Sequence, residues 1–375
     1  MRSLRAIAPI LVLVIALGAC RGGESAPAPT TGWSTPSGGV TTGPGPTPSP
    51  TPTPSTSATP GPSGTPSTLP SPTAPQVGHD AWVGVSVATV WRSASSPREV
   101  DQPALRNPAA IRQWLAAMTL ADRLGLVGRA DTQVLLGDRV VVTARSGAWV
   151  KVVVPDQPTP LDPRGYPGWV PAIQLTGTAP PASTLVATVT ATTAWLRTDD
   201  ASASQVVEVS FGTRLPRISA SGAWVRVASP SGRVLRVAAD QVSITAVGEP
   251  ALPATGADLV RTATKFTGLA YLWAGTSGFG LDCSGLTSLV HRVHGLTIPR
   301  DADAQAVHGV AVAASSLRPG DLLFYATDGY VHHVAMYAGG GLMVQAPHTG
   351  GSVETIPMST PAYAEEYAGA RRYVG

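Results

Sequence analysis

Four segments with different patterns of hydrophobic and polar residues follow one another along the chain. Residues 7–19 form one apolar run, and residues 25–76 hold 15 prolines among Ser, Thr, Gly and Ala with no charged side chain. From about residue 79 to 249, apolar and polar positions alternate, as in strands with one buried face. From about residue 250, apolar positions recur at helical spacing before further strands. The pattern predicts a leader, a linker, a β-rich middle and a mixed C-terminal domain.

The leader, residues 1–20, has the features of a signal peptide. Arg2 and Arg5 precede an apolar run of 13 residues, which is shorter than the ~20 residues needed to span a bilayer. Residues 17–20 (LGAC) resemble a bacterial lipobox. That resemblance implies lipidation of Cys20, a lipid anchor in the outer face of the cell membrane and a protein that faces the cell wall. An ordinary secretory signal with a chance cysteine is the alternative.

Residues 21–78 are expected to be a disordered tether. A segment rich in Pro, Ser and Thr without a hydrophobic pattern cannot bury a core, and it favours polyproline II conformation. At ~3.1 Å per residue, such a segment reaches up to roughly 160 Å. The tether would let the C-terminal domains sample the wall at a distance from the membrane.

The β-rich middle contains an internal repeat. Residues 146–152 (SGAWVKV) recur as residues 221–227 (SGAWVRV), and Gly137 recurs as Gly212; both shifts are 75 residues. A strand of this type after a glycine turn resembles bacterial SH3-like domains, which are small barrels. We therefore expect SH3-like domain 1 over residues 79–178 and SH3-like domain 2 over residues 179–249.

The first copy carries an insertion. Trp91 and Trp195 are taken as markers of the opening strands, and their separation of 104 residues leaves about 29 extra residues in copy one. Asn107 before Pro108 predicts a helix start, with Asn as the N-cap. The residues that then share one helix face are Ile111, Trp114, Leu115 and Met118. This stripe is expected to pack on the barrel; the alternative is that the insertion walls one side of a substrate groove.

Composition and charge exclude several classes of protein. The 375 residues include 26 Lys+Arg and 23 Asp+Glu, and a net charge of +3 is not the clustered basic face of a nucleic-acid-binding protein. Two cysteines exclude a disulfide-dense scaffold and a Cys-based zinc site. The seven histidines show no ligand spacing such as H-E-x-x-H, so no metal or cofactor is expected.

Cys283 is the candidate nucleophile. It directly precedes an apolar-periodic segment that stops at Gly295, so it lies at a predicted helix N-terminus. Backbone N–H groups and the helix dipole at that position favour a thiolate, the form that attacks a carbonyl. Because a nucleophilic cysteine needs a base, His332 and His333 in a predicted strand are candidates. Neighbours in a strand point to opposite faces, so only one of the two can serve.

At this point the sequence is identified as a member of the NlpC/P60 family of papain-like cell-wall peptidases. The motifs that carry the resemblance stand in family order over residues 255–375: YLWAG, LDCSG, IPRDADAQ, LRPGDLLFY, HVAMY and VQAP. The resemblance implies an α+β fold: a papain-like NlpC/P60 catalytic domain over residues 250–375, preceded by two small SH3-like β-barrels, the first with a helical insertion.

The same resemblance implies the catalytic residues. It makes Cys283 the nucleophile and His333, directly before V-A-M-Y, the base. The third position is Gln345, where many relatives have His; its carbonyl oxygen can accept the other N–H of the base. His348 is the alternative orienting residue. Ala302 is a further departure, since some relatives have a substrate-contacting Ser there.

Family membership implies hydrolysis of the bond between γ-D-glutamate and the diamino acid of a peptidoglycan stem peptide, through a thioester acyl-enzyme. The matching pocket positions are Tyr271, Trp273, Asp282 and Ser284. The Cys283 N–H and the Tyr271 hydroxyl are expected to stabilise the oxyanion. Core packing is an equally good interpretation of Trp273.

A narrower resemblance covers nearly the whole mature chain. Two SH3-like domains before the catalytic domain are similar to γ-D-glutamyl-L-diamino-acid endopeptidases, whose first barrel closes one end of the site. In that group an acidic residue and a Tyr bind the free amine of an N-terminal L-Ala; the matching positions are Asp131 and Tyr166. Asp is one methylene shorter than the usual Glu. The alternative is a solvated Asp and a Tyr that fills the barrel.

Three functions remain open on the sequence. The preferred one is a cysteine endopeptidase that favours stem peptides or muropeptides with a free N-terminal L-Ala. A broad remodelling endopeptidase on intact stem peptides is the second. A non-catalytic lipoprotein that binds the wall is the third, and the Cys283 and His333 pair argues against it. None of these involves nucleic acid.

Overall fold

The computed structural model describes residues 71–375. The signal peptide, Cys20 and residues 21–70 of the expected tether lie outside this range. Residues 71–78 were also assigned to the tether, but they run along the first barrel: the Thr73 carbonyl accepts a hydrogen bond from Gly177 N (2.8 Å), and the Ser71 carbonyl accepts one from the Thr178 hydroxyl (2.8 Å). The described chain therefore joins the barrel several residues earlier than composition suggests.

The first barrel is a seven-stranded sheet in the order β3-β2-β6-β5-β4-β1-β7. On β4 the residues alternate, with Val140 and Val142 buried and Arg139 and Val141 more exposed, and this is the pattern that fixes strand register. The strands are β1 (Asp80–Val83), β2 (Val87–Trp91), β3 (Ala130–Leu135), β4 (Arg139–Ser146), β5 (Trp149–Val154), β6 (Tyr166–Pro171) and β7 (Leu175–Thr176), with a 3₁₀ helix at Ala172–Gln174.

The second barrel repeats the first, strand for strand. Its order is β10-β9-β13-β12-β11-β8-β14, so each strand takes the place of the one seven earlier. The tryptophan markers were misplaced by one strand: Trp91 and Trp195 lie on the second strand of each barrel, because a short β-strand precedes each. The strands are β8 (Leu185–Val189), β9 (Thr193–Thr198), β10 (Gln205–Ser210), β11 (Arg214–Ser221), β12 (Trp224–Ala228), β13 (Val234–Ala238) and β14 (Val242–Ala246), with a 3₁₀ helix at Ala239–Gln241.

The insertion of the first barrel lies between β2 and β3. It contains a 3₁₀ helix, Glu99–Leu105, and two short helices, α1 (Ile111–Ala117) and α2 (Leu120–Leu124). The predicted cap was wrong: α1 begins at Ile111 with Ala110 as N-cap, and the Asn107 side chain donates to the Ile173 carbonyl instead (2.8 Å). An Asn side chain that finds a partner across the barrel is not available to cap a helix.

The stripe on α1 packs inward, as expected. Trp114 is buried, its ring centroid lies 6.2 Å from that of Trp91, and its indole N–H donates to Asp101 (2.9 Å). Trp114 belongs to the same hydrophobic core as Cys283 and Leu286 of the C-terminal domain. The insertion thus joins the first barrel to the C-terminal domain through a shared core.

The C-terminal domain places helices against a six-stranded antiparallel sheet in the order β17-β22-β18-β19-β20-β21, beside a two-stranded hairpin of β15 and β16. Its helices are α3 (Gly256–Thr264), α4 (Cys283–Val293), α5 (Ala302–Ala306), α6 (Pro361–Ala364) and a 3₁₀ helix at Ala314–Ser316. Its strands are β15 (Thr276–Ser277), β16 (Gly280–Leu281), β17 (Val310–Val312), β18 (Leu322–Thr327), β19 (Tyr330–Gly339), β20 (Leu342–Gln345), β21 (Glu354–Pro357) and β22 (Tyr367–Arg372).

Both barrels hold the β15–β16 hairpin. The buried Gln133 side chain of β3 accepts from Thr276 N (3.2 Å) and from the Ser277 hydroxyl (2.9 Å). From the second barrel, the Ser210 hydroxyl accepts from Gly278 N (2.8 Å). Because buried polar groups need partners, these bonds fix both barrels against the segment that leads into α4.

Within residues 71–375, the helices are all too short or too polar to cross a membrane.

Candidate active site

Cys283 is the first residue of α4, as the sequence predicts. Asp282 is the N-cap, and its carboxylate accepts a hydrogen bond from Gly285 N at 2.6 Å. At Gly285 itself, an added Cβ would lie 2.0 Å from the Gly275 carbonyl oxygen, so only glycine allows the helix start to pack on that loop. The LDCSG motif therefore forms the capped start of α4, which packs closely on the loop formed by the YLWAG motif.

A buried ion pair stands behind the nucleophile. Arg300 is fully buried, and its guanidinium donates to both carboxylate oxygens of Asp282 (2.6 and 3.1 Å) and to the Ser284 hydroxyl (2.9 Å). The same side chain donates through Nε to Thr132 on β3 of the first barrel (2.8 Å). Asp282 and Ser284, assigned to the substrate pocket from the sequence, are thus held by Arg300, which in turn ties the helix start to the barrel.

His333 lies on β19 and faces the interior, whereas the adjacent His332 points out toward Glu366, 3.3 Å away. His333 Nε2 is 2.7 Å from Gln345 Oε1. His348 is exposed, and its ring Nδ1 lies 3.0 Å from the Thr349 carbonyl oxygen. Of the two orienting candidates, the hydrogen bond to the imidazole therefore belongs to Gln345.

The Cys283 sulfur lies beside β19, the strand that carries His333. Backbone N–H groups of Ser284 and of Val334, the residue after His333, face the Cys283 sulfur. The rings of Tyr325 and Tyr363 flank His333, each with its centroid 5.6 Å from that of the imidazole. The thiol thus lies beside the strand segment that carries the base, and aromatic rings fix the imidazole plane.

The ionisation of the resting thiol differs from the expectation. Burial raises the pKa of Cys283 to about 12, and Asp282 adds to the increase, while the facing N–H groups only partly oppose it. Burial also lowers the pKa of His333 to about 4, opposed by its hydrogen bond to Gln345. The helix N-terminus does not offset desolvation, so the resting pair is a neutral thiol and a neutral imidazole.

Tyr271 lies near the thiol, and Trp273 lies at the contact with the first barrel. Burial raises the pKa of Tyr271, so its hydroxyl stays protonated near Cys283 and is able to donate a hydrogen bond. The Trp273 indole N–H donates to the Ala130 carbonyl of the first barrel (2.9 Å). Trp273 is partly buried and packs on the shared hydrophobic core, which supports the core interpretation.

The first barrel brings Asp131 and Tyr166 to one end of this region, but Asp131 has a partner. The guanidinium of Arg92 donates to the Asp131 carboxylate at 2.6 Å, and the Arg92 side chain is 61% exposed. Tyr166 is buried, and its hydroxyl faces the carboxyl of Asp301. A second carboxylate, which the sequence did not single out, therefore lies beside Tyr166.

Asp301 is the N-cap position of α5, directly after Arg300, yet its side chain caps nothing. Burial raises its pKa to about 6, against the opposing effects of Arg300 and of the Tyr166 hydroxyl. Asp301 lies in the IPRDADAQ segment, one of the motifs that carry the family resemblance. Its pairing with Tyr166 could not be predicted, because the two residues are far apart in the sequence. A half-buried carboxylate beside a phenol is a suitable acceptor for a cationic group.

Among residues 71–375, no group of three or more His, Cys, Asp or Glu side chains is arranged to hold a metal ion. The chemistry available from the described side chains is nucleophilic and general-base chemistry at Cys283 and His333.

Comparison with known families and proteins gives consistent matches. The NlpC/P60 family model matches residues 268–372, and the YKFC SH3b2 domain model matches residues 189–244. The gamma-D-glutamyl-L-lysine dipeptidyl-peptidase of Bacillus cereus is 44% identical over 303 residues, which is 78% of this chain and 91% of that protein. The protein of the same name from Bacillus subtilis is 39% identical over 292 residues, 76% of this chain and 96% of that protein.

One solved structure resembles the chain over most of its length. The crystal structure of an NlpC/P60 family protein from Bacillus cereus has a TM-score of 0.75 and 42% sequence identity. It covers 79% of this chain and 100% of that chain. The shared architecture extends beyond the catalytic domain to the barrels that precede it.

Proposed function

Because the chain belongs to the NlpC/P60 family and is a hydrolase of the cysteine-peptidase type, we propose that it cleaves the γ-D-glutamyl–diamino acid bond of stem peptides that begin with a free L-Ala. The observation that supports the proposal is the packing of the first barrel against the catalytic domain. Tyr166 of that barrel lies against Asp301 of the catalytic domain.

Free-amine recognition rests mainly on Asp301. Its carboxylate is half-buried and faces the Tyr166 hydroxyl, and among residues 71–375 no Arg side chain donates a hydrogen bond to it, whereas Asp131 is held by Arg92. An ammonium group is a good partner for a carboxylate in a closed pocket. Asp131 then contributes charge at the rim and not a direct contact. A substrate whose L-Ala nitrogen is acylated by a muramyl group would leave the Asp301 charge without a partner.

The names of the Bacillus relatives support this specificity. A dipeptidyl-peptidase removes two residues from a free amino terminus, and a γ-D-glutamyl-L-lysine bond lies after the second residue of such a peptide. We therefore place L-Ala-γ-D-Glu before the scissile bond. The enzyme would act on peptides from which the sugar has already been removed.

The mechanism starts from neutral groups. As the sulfur of Cys283 attacks the γ-carbonyl carbon of D-Glu, its proton passes to His333. The oxyanion accepts hydrogen bonds from the Cys283 N–H, which has no acceptor within α4, and from the Tyr271 hydroxyl. The C–N bond breaks and His333 returns the proton to the departing amine. Water then attacks the thioester and gives a proton to His333, and the acid and the thiol are released.

Paired substrates test the proposal. L-Ala-γ-D-Glu-diamino acid peptides, with Lys or diaminopimelate, are compared with the same peptides carrying an N-acetyl or muramyl group on L-Ala, and products are identified by mass spectrometry. We expect kcat/KM to be at least about a hundredfold higher for the free amine. Equal rates on both would instead favour a broad endopeptidase on intact stem peptides. Cys283→Ala is the inactive control.

We also propose that the enzyme is secreted and lipid-anchored outside the cell membrane through Cys20. The support is the sequence of residues 1–20 alone. Labelling of the full chain with a fatty-acid analogue in a bacterial host is expected to mark the wild-type protein and not Cys20→Ala. A wild-type chain that remains unlabelled and is released to the medium would contradict the anchor.

A further inference from the structure

The hydrogen-bond network behind His333 continues beyond Gln345. Gln345 on β20 and Glu354 on β21 are directly opposed residues in the antiparallel pair. The Gln345 Nε2 group donates to Glu354 Oε1 at 3.0 Å, while Gln345 Oε1 is 2.7 Å from His333 Nε2. Gln345 is buried and Glu354 is half-buried, so the chain of hydrogen bonds runs from the site to the edge of the sheet.

This arrangement leaves one consistent assignment of protons. An ionised carboxylate only accepts hydrogen bonds, so the side of the Gln345 amide that faces Glu354 must be the NH₂ group. Its carbonyl oxygen must then face His333, and Nε2 of the imidazole must carry the proton that is donated. The other ring nitrogen, Nδ1, is left unprotonated and able to take the proton of Cys283.

We propose that Glu354 is a positioning residue, which fixes the amide orientation of Gln345 and through it the tautomer of His333. Without Glu354, the other side-chain partners of the amide are the His333 ring and the Tyr363 hydroxyl, each of which can donate or accept, so the amide can rotate by half a turn and present NH₂ to His333. That orientation would require a proton on Nδ1, which cannot then act as base toward the thiol. The role rests on the proposed function, because it matters only if His333 is the base.

The hydrogen bond to Glu354 fixes an orientation that a glutamine at this position would not fix by itself. A Gln side chain is neutral and has two nearly equivalent ends, whereas a His at the same position has different donor and acceptor geometry. Glu354 removes the ambiguity and places a negative charge two hydrogen bonds from the imidazolium formed during attack. The flanking rings of Tyr325 and Tyr363 restrict rotation of the His333 ring, so the amide orientation decides the tautomer.

A double-mutant cycle tests the proposal on the whole chain. Glu354→Leu removes the acceptor, Gln345→Ala removes the group through which Glu354 acts, and the double variant closes the cycle. Glu354→Gln is the conservative variant, since its carbonyl oxygen can still accept from Gln345. Glu366→Leu is the matched control, because Glu366 contacts the outward-facing His332. The readouts are kcat and KM on a free-amine stem peptide and the rate of Cys283 alkylation by iodoacetamide, which remains measurable in slow variants.

We expect Glu354→Leu to lower kcat by roughly ten- to a hundredfold with KM nearly unchanged, since part of the general-base contribution is lost. In the Gln345→Ala background the same change is expected to alter kcat and alkylation by less than about twofold. Glu354→Gln restores most of the activity, and Glu366→Leu leaves it unchanged. Equal effects of Glu354→Leu in both backgrounds, or no effect in either, would overturn the positioning role.

The Cys283→Ala variant separates the two proposals. If it still hydrolyses the peptide, the proposed function fails and the positioning role fails with it. If it is inactive while Glu354→Leu acts independently of Gln345, the positioning role alone is wrong.

Discussion

Replacement of Arg300 by Met is the most direct test of how the barrel and the nucleophile helix are joined. The Arg300 side chain is 1% exposed and that of Asp282 is 9% exposed, so the pair is buried. Arg300→Met keeps the apolar stem but removes four hydrogen bonds, to Asp282, Ser284 and Thr132. The Asp282 carboxylate is then left buried and unpaired, since the remaining bond comes from Gly285 N and a weaker one from the Ser284 hydroxyl.

Removal of one partner from a buried ion pair costs about 3–5 kcal/mol, because an uncompensated charge remains. We therefore expect Arg300→Met to lower the free energy of unfolding by that amount. Arg139→Met is the matched control: Arg139 pairs with Asp80 on the surface, where the two side chains are 48% and 41% exposed. An exposed pair contributes at most about 1 kcal/mol.

A second substitution identifies the cause. Asp282→Asn removes the charge while Asn remains a good N-cap, so the double variant Arg300→Met/Asp282→Asn is expected to recover about 2 kcal/mol of the loss. The assay is equilibrium urea unfolding followed by tryptophan fluorescence and by far-UV circular dichroism, with coincident transitions as the check on two-state behaviour. A loss for Arg300→Met no larger than that for Arg139→Met would refute the reasoning.

Three further predictions concern charge and packing. Because burial raises the pKa of Asp301 to about 6, its carboxylate is ionised above that pH and neutral below it. The KM for free-amine peptides should therefore rise by up to about tenfold per pH unit as the pH falls below 6. In a KM profile from pH 4.5 to 8, Asp301→Asn should abolish this dependence. Because burial raises the pKa of Cys283 to about 12, the alkylation rate of its thiol should increase about tenfold per pH unit from pH 6 to 9. A plateau of the rate in that range would instead indicate a preformed ion pair with His333. Gly278→Ala would place a Cβ 1.9 Å from the Thr192 carbonyl oxygen, so the second barrel should shift away from the β15–β16 hairpin. The midpoint of thermal unfolding should therefore fall. An unchanged midpoint would show that the contact between the barrel and the hairpin is not rigid.

Local pattern in the sequence was enough for the repeated barrels and for the place of Cys283 at a helix start. The 75-residue repeat predicted two copies of one barrel, and the structure has seven strands in the same order in each. The NlpC/P60 architecture that the motifs predicted is confirmed by the family match and by the full-length structural relative. These features succeed because turns, alternation and capping are set by residues near each other in the chain.

Features that depend on burial or on distant partners were missed or misjudged. The helix dipole at Cys283 predicted a thiolate, but enclosure by the rest of the domain raises the thiol pKa to about 12. Asn107 was expected to cap α1, but its side chain bonds to Ile173, which lies far along the chain. A pattern of residue types carries no information on such partners.

The sequence by itself thus determined the repeated barrels, the place of Cys283 on its helix, and which residue types are available for the chemistry. Only the tertiary structure decided what surrounds them: Arg300 between Asp282 and Thr132, Asp301 against Tyr166, and Glu354 behind Gln345. The physical reason is that desolvation and hydrogen-bond pairing depend on the three-dimensional neighbours of a group, which chain order does not specify.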